Sequence, residues 1–419
     1  MRTLIITLLL STYSYLQAQI YIEKETPEIT CGHSLEDKPS FIPAPEFLLR
    51  SNTGTQFEFQ YVDSLPVPEA AKPAIEYAGK IWGAYIVSSL PIKVEVRWYD
   101  FGDLNNLATA RSTGFIFAFD PENPAPFQAN TWYPKSLGES LIEQHIGDEN
   151  SPDIIVRINS AFLWYTKTDG NVLPGHYDLV SIMLHEIGHG LGFTSSARTE
   201  TDNFGNTRGI LRFGNFPMIY DTFLRTRDGA RLVDTTRFEN SSFELYRAFI
   251  SEDINFRDIS VIRANGGVPQ QIYAPWFFTR GRSISHVDEY HELGDADAIM
   301  SPFLSIREAI HRPGPATLAM LEAMGWEVRY MPVVSNTNTT LVQKIQVFPN
   351  PASNQLQIQW PEDFPEQVVY QIADIAGRVV ERGQVAKGQA ISLNQFKSGY
   401  YNLTLQSKAT IYFSKFSVR

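Results

Sequence analysis

The stretch LVSIMLHEIGHGLGFTSSA, residues 179–197, contains two histidines four positions apart, His185 and His189, with Glu186 directly after the first. An apolar run precedes them, and Asp178 stands where a helix N-cap is expected. Positions i and i+4 of a helix lie on one face, so both imidazoles can bind a single metal ion. Glu186 would then project beside that ion and accept a proton from water. The stretch predicts a helix that carries most of a zinc site.

A catalytic zinc ion usually has three protein ligands and one open position for water. The chain has eight histidines, and only three of them follow Gly192, namely His286, His291 and His311. His286 lies in SISHVDE, fourteen positions before Met300. The residues alone leave these three histidines open as the third ligand; His291, in an acidic stretch, is the reserve candidate if His286 is not the ligand.

HEIGHGLGF, the later SISH, and AIMSP followed by MLEAMGW resemble the metzincin zinc peptidases. In that family a glycine after HExxH turns the chain so that a third histidine can return to the metal, and a turn bearing methionine packs beneath the site. The leishmanolysin-like branch inserts a subdomain between that glycine and the histidine, and here 93 residues, 193–285, stand between them. Ser195, where most branches have the histidine, is therefore not a lost ligand. The resemblance implies metal ligands His185, His189 and His286, a helix-ending turn at Gly192 and a Met-turn at Met300.

The same resemblance implies a secreted zinc endopeptidase that acts on proteins or peptides, with Glu186 as general base. Many metzincins also use a tyrosine near the Met-turn to stabilise the oxyanion. Phe303 follows MSP in this chain, and Tyr290 is a weak alternative for that role.

Two other interpretations remain open. A gluzincin-type peptidase would take its third ligand from Glu239 or Glu244, although FENSSFELY does not reproduce the second motif usual in those enzymes. Alternatively, the chain could be a cell-surface adhesin, a binding module on a metzincin scaffold. The intact histidines with Glu186 argue against the adhesin, because a binding module has no need of the base.

The order of predicted elements indicates an α+β fold rather than regular βαβ alternation. Strands are predicted at 57–62, 91–100, 113–120 and 153–162, and helices at 68–88, at 179–190, within SSFELYRAFISED and at PATLAMLEAMGW. The resemblance implies a twisted mixed sheet, an active-site helix, a Met-turn and a C-terminal helix, followed by a small all-β sandwich. The predicted divisions are a signal peptide (1–18), a leader and candidate pro-segment (19–55), a catalytic domain (56–330) with an insertion (195–285), a linker (331–344) and the sandwich (345–419).

The termini indicate export. MRTLIITLLLSTYSYLQA, residues 1–18, has the basic start and short apolar run of a secretory signal peptide, too short to span a bilayer. We therefore expect no transmembrane segment in the mature chain. VFPNPASNQLQI (347–358), DIAGRVV (374–380) and the closing SGYYNLTL with KFSVR resemble the sorting domain of type IX secretion substrates. That resemblance implies contact with the type IX machinery and a secreted or surface-attached product.

Composition limits the remaining choices. A net charge of −11 without a basic cluster argues against nucleic acid as a partner. The single cysteine, Cys31, cannot form an internal disulfide, and it is a candidate latch that could block the water position on zinc. The acidic stretches 199–209 and 292–299 offer oxygen ligands for calcium, but neither has EF-hand spacing, so no calcium site is assigned.

Overall fold

The computed structural model describes residues 19–23, 26–45, 54–62, 65–119, 127–289, 295–330, 341–360, 367–374, 379–407 and 410–419. The predicted signal peptide, Tyr290 and His291 lie outside these ranges. The described α-helices are α1 (Lys72–Tyr85), α2 (Lys135–Ile142), α3 (Leu179–Gly190), α4 (Phe243–Phe249), α5 (Ile259–Ala264) and α6 (Pro315–Met324). Two short 3-10 helices span Tyr220–Phe223 and Ala296–Met300.

Strands dominate the rest of the described chain, so the protein is a mixed α and β fold, consistent with the α+β expectation. Up to α6 they are β1 (Gln19–Glu23), β2 (Ile29–Ile42), β3 (Phe57–Tyr61), β4 (Ile86–Val87), β5 (Ile92–Tyr99), β6 (Asn106–Ser112), β7 (Phe115–Phe119), β8 (Tyr133–Pro134), β9 (Ile154–Asn159), β10 (Trp164–Tyr165), β11 (Tyr177–Asp178), β12 (Arg198–Thr201), β13 (Thr207–Ile210), β14 (Leu224–Thr226), β15 (Ile254–Phe256), β16 (Gln270–Ile272) and β17 (Phe303–Ile310). After α6 they are β18 (Glu327–Val328), β19 (Leu341–Lys344), β20 (Val347–Phe348), β21 (Gln355–Ile358), β22 (Gln367–Asp374), β23 (Val379–Ala386), β24 (Ile391–Ser392), β25 (Gly399–Ser407) and β26 (Thr410–Val418).

A six-stranded mixed sheet organises the larger part of the chain, in the order β17-β2-β6-β9-β5-β3. Strands β3, β5 and β9 run parallel, β6 is antiparallel to β9, and β2 is antiparallel to β6. Helices α1 and α3 pack on the sheet and on each other through buried apolar side chains. These include Trp82 of α1, Ile182 of α3 and Val156 of β9. This packing fixes the orientation of α3.

The leader departs from the sequence expectation. Residues 19–55 show no clear period, yet residues 29–42 form a strand in the interior of the main sheet. The strand pairs on one side with β6 and on the other in parallel with β17, with register shifts in both ladders. These irregularities, with glycine and proline in ITCGHSLEDKPSFI, obscure the alternation by which strands are recognised.

Other boundaries shift for local reasons. The helix predicted at 68–88 is shorter, because 69–71 form a turn before Pro73 opens α1 and Ile86 is already extended. Strand β6 and helix α2 were not predicted at all. The helix predicted at PATLAMLEAMGW is confirmed as α6, and it ends at Gly325, whose φ of +120° lies in a region that favours glycine.

The C-terminal part has its own hydrophobic core. A five-stranded sheet, β19-β26-β25-β22-β23, and a three-stranded sheet, β20-β21-β24, both contribute buried residues such as Leu403, Phe416 and Leu356 to one cluster. The predicted linker 331–344 is too long at its C-terminal end, because 341–344 form β19 and pair with β26. Residues 331–340 lie outside the described ranges.

Candidate metal centre

Helix α3 begins at the predicted N-cap. The Asp178 carboxylate accepts hydrogen bonds from Ser181 N at 2.8 Å and from Ser181 Oγ at 2.7 Å. It also lies 2.8 Å from His311 Nε2, and Ile310 N donates to Ser181 Oγ at 2.7 Å. A buried polar network therefore ties the start of α3 to the end of β17. His311 belongs to this network and not to the metal-binding cluster.

The structure brings three of the predicted residues to one point. The Nε2 atoms of His185 and His189 lie 2.9 Å apart, and His286 Nε2 lies 3.1 Å from that of His189 and 3.3 Å from that of His185. All three side chains are buried. A tetrahedral zinc ion with Zn–N bonds of about 2.0 Å would set these separations at about 3.3 Å. The arrangement is thus close to that of a three-histidine metal site.

The remaining ring nitrogens explain why the three Nε2 atoms face one another. His185 Nδ1 lies 2.7 Å from Ile299 O, His189 Nδ1 lies 2.6 Å from Phe193 O, and His286 Nδ1 lies 2.8 Å from Arg282 O. A carbonyl can only accept, so each Nδ1 must carry the proton and each neutral Nε2 is left with a lone pair. Three lone pairs pointing inward repel one another unless a cation lies between them.

Burial keeps these imidazoles neutral. It lowers the pKa of His185 to about 4, and it lowers the pKa values of His189 and His286 well below the usual range, with the neighbouring imidazoles adding to the effect. Neutral imidazole is the metal-binding form of histidine. The charge state at neutral pH therefore suits metal binding.

Glu186 lies next to the first histidine and is fully buried. Neither of its carboxylate oxygens has a hydrogen-bond partner among the described residues. Burial, followed by the charge of Glu28, raises its pKa well above the usual range. An unpartnered buried carboxylate beside these histidines lacks a hydrogen-bond donor, and a metal-coordinated water would supply one.

Close packing accounts for the glycines of the motif. A Cβ at Gly188 would lie 2.7 Å from Met300 Sδ, so the fully buried methionine packs against the helix between the two histidines. At Gly190 a Cβ would collide with Ile154 on β9. Gly192 has a φ of +127°, a conformation that side chains rarely permit, and the chain turns there after α3. The methionine also holds the segment that carries His286, because Val287 N donates to Met300 O at 3.0 Å.

The leader lies beside part of this cluster. Strand β2 lies between β6 and β17, with Thr30 N bonded to Gly281 O and Gly32 N bonded to Pro302 O. Cys31, 1% exposed, has its Sγ among a group of candidate ligand atoms of His185 and Glu186 that all lie within 4.8 Å of one another. Burial raises the pKa of this thiol well above its usual range. The candidate latch is therefore adjacent to the first histidine and to the carboxylate.

Other candidates from the sequence lie elsewhere or outside the described residues. Glu239 and Glu244 are exposed, and neither joins the clusters with metal-ligand geometry that the described part of the chain contains. Phe303 packs against the leader, with its ring beneath the Arg282 guanidinium at 5.0 Å. In the stretch 199–209, Asp202 accepts from the backbone of its own turn, at Phe204 N and Asn206 N.

Sequence reasoning missed a buried carboxylate near the site. Asp221, fully buried in the 3-10 helix Tyr220–Phe223, accepts hydrogen bonds from both serines of the TSS sequence that follows the motif. Nothing in IYDTF marks this aspartate, because its partners are about 25 positions away. The only local signal is the serine pair in TSSA, in which Ser195 stands where most metzincins have the third histidine.

Comparison with known proteins identifies the C-terminal part only. Residues 346–419 match the family of secretion system C-terminal sorting domains. No curated protein and no solved structure matches the chain. The sorting domain directs type IX secretion, to the cell surface or into the medium, and implies an interaction with that machinery. None of the helices in the described ranges combines the length and apolar character needed to cross a bilayer.

Proposed function

We propose that the chain is a secreted, metzincin-like zinc endopeptidase with the leishmanolysin-like displaced third histidine. The observation that carries the proposal is the convergence of three Nε2 atoms beside the unpartnered carboxylate of Glu186. His185, His189 and His286 would hold the ion, and Met300 would form the floor beneath it. Histidine nitrogens in a three-ligand set with a free carboxylate are the donor set of a catalytic zinc site, not a structural one. No calcium site is proposed.

When bound, zinc would lower the pKa of a coordinated water towards about 7 and polarise a peptide carbonyl. Glu186 accepts a proton from the attacking water while the water oxygen bonds to the carbonyl carbon. As the peptide C–N bond breaks, Glu186 returns the proton to the departing amine nitrogen.

We also propose that residues 19–55 act as a pro-segment and keep the enzyme latent. The support is burial: the three histidines and Glu186 are at most 3% exposed, and Cys31 of β2 lies beside His185 and Glu186. A protein substrate needs an open cleft, so β2 must leave before hydrolysis. Cys31, placed beside His185, would occupy the position that water needs.

The direct test uses the full chain with zinc, before and after limited proteolysis of the leader. Casein or gelatin should be cleaved after leader removal, and a chelator should abolish that cleavage. Stoichiometric zinc without any hydrolysis after leader removal would favour the adhesin alternative. Hydrolysis that persists after the metal has been removed would defeat the zinc-peptidase proposal.

A further inference from the structure

Asp221 occupies an unusual environment for a carboxylate. It is fully buried, and the described hydrogen bonds to it come only from uncharged donors. Ser195 Oγ donates to Oδ1 at 2.6 Å, Ser196 donates through both its hydroxyl and its backbone N–H, and Met218 N donates to Oδ2 at 3.1 Å. The charge of Asp221 also acts on the Arg212 guanidinium, but no cation is hydrogen-bonded to the carboxylate among the described residues. Such burial is costly unless the hydrogen bonds compensate for it.

The segment that contains the two serines bonded to Asp221 contacts both His189 and the residue before His286. Ser195 N donates to Ser285 Oγ at 3.1 Å, across 90 positions of the chain, and Ser285 directly precedes His286. On the other side, Phe193, two residues before Ser195, accepts the Nδ1–H of His189. Thr194 Oγ1 donates to His189 O at 2.9 Å. A short path of chain and hydrogen bonds therefore runs from His189 through 193–195 to His286.

Backbone carbonyl groups also take part in holding the segment that carries His286. His286 O accepts from Tyr273 N, and His286 Nδ1 bonds within its own segment to Arg282 O. The Ser195–Ser285 contact joins residues 193–195, which follow α3, to the segment that carries His286. Asp221, inside the insertion, fixes the Ser195 end of that contact.

We propose that Asp221 is a positioning residue for the metal centre, acting through Ser195 and Ser285 to hold His286 in register with His189. The serine at the usual place of the third histidine thus supports the displaced ligand that replaces it. The inference rests on the proposed metal site and deepens it. Partners of this kind, one step behind the ligands, typically change metal affinity by about 10- to 100-fold when they are removed.

The test compares Asp221→Asn and Ser285→Ala with the full wild-type chain. Zinc affinity is measured by competition with a chromogenic chelator at pH 7.5, and both variants should bind at least about 10-fold more weakly. Cobalt(II) provides a second readout, because its visible spectrum reports ligand geometry and is insensitive to global stability; both variants should change it. Asp258→Asn is the matched control, since Asp258 lies in the same insertion and accepts from Ser260 N and Oγ at the start of α5. It should leave both readouts unchanged.

The outcomes separate the two proposals. If the wild-type chain binds neither zinc nor cobalt, the proposed function itself fails. If the wild type binds, and both variants bind with wild-type affinity and an unchanged cobalt spectrum, only the positioning role fails. Should Asp221→Asn not fold, as judged by thermal unfolding without metal, Ser285→Ala decides the question alone, because it removes a single hydroxyl. An equal loss in Asp258→Asn would also overturn the inference, since it would show a general sensitivity of the insertion.

Discussion

His189 Nε2 lies 3.1 Å from His286 Nε2, although 97 positions separate the two residues in the chain. His185 comes from the same helix as His189, so one helical turn supplies two of the three nitrogens and the distant segment supplies the third. Each ring is oriented by a backbone carbonyl behind it. The site therefore depends on local helix geometry for one edge and on long-range folding for the other two.

Replacing the distant histidine should separate the third-ligand assignments. His286→Ala removes one of three nitrogens, so we expect zinc to be lost or bound at least about 10-fold more weakly. His291→Ala, which changes the reserve candidate, should retain one zinc ion per chain. Metal analysis after dialysis measures both. Loss of zinc in His291→Ala with retention in His286→Ala would reverse the assignment.

Glu186→Gln tests the general base. Glutamine has nearly the same shape but cannot accept the proton from water, so zinc should stay bound while kcat falls by at least about 100-fold. The comparison uses protein from which the leader has been removed, with cleavage of a quenched-fluorescent peptide as the measurement. A variant with full activity would exclude Glu186 from this role. Loss of zinc in the same variant would instead indicate that the carboxylate is a ligand.

Cys31→Ser tests the latch. In the cobalt-loaded full chain, thiolate coordination should produce a charge-transfer band that the wild type shows and the variant lacks. The variant should also become active earlier during limited proteolysis, because one contact that holds β2 over the site is gone. Identical spectra and activation rates in the two proteins would show that Cys31 neither binds the metal nor delays activation.

The raised pKa of Asp221 should make the free energy of unfolding depend on pH. Burial raises its pKa to about 6, whereas the unfolded value is about 3.9. The folded protein therefore binds this proton more tightly, so the stabilisation is fully present below about pH 4 and is lost as the pH rises through about 6. The free energy of unfolding of wild type minus that of Asp221→Asn should accordingly be larger at pH 4.5 than at pH 7. Urea unfolding with a chelator present gives both values. The opposite trend would mean that folding lowers the pKa of Asp221 and stabilises its ionised form.

Removal of residues 346–419 should abolish export across the outer membrane. The sorting domain has its own hydrophobic core, separate from that of the preceding part of the chain, so the truncated chain should still fold. Fractionation of a bacterium with type IX secretion would then find the truncated protein inside the cell envelope and the full chain outside. The same residues fused to an unrelated exported protein serve as the control. Appearance of the truncated chain outside the cell would contradict the expectation.

Local signals in the sequence were sufficient for much of the fold. The cap at Asp178, the glycine end of α6 and the strands β3, β5, β7 and β9 lie within the predicted segments. Each of these features depends on a few neighbouring residues. The leader strand β2 and its neighbour β6 were missed because neither shows a clear alternation. Strand β2 has register shifts with glycine and proline in its sequence, and β6 is buried along almost its whole length.

The amino-acid sequence by itself determined what one helical turn can determine: His185 and His189 on one face, with Glu186 beside them. It also marked the C-terminal sorting domain through motifs that lie close together. Only the tertiary structure decided that His286 completes the cluster, that Cys31 lies beside its first histidine, and that Asp221 bonds to the serines that follow the motif. The physical reason is that helix periodicity follows from the backbone, whereas contacts across dozens of residues form only when the sheet and helices pack into one core.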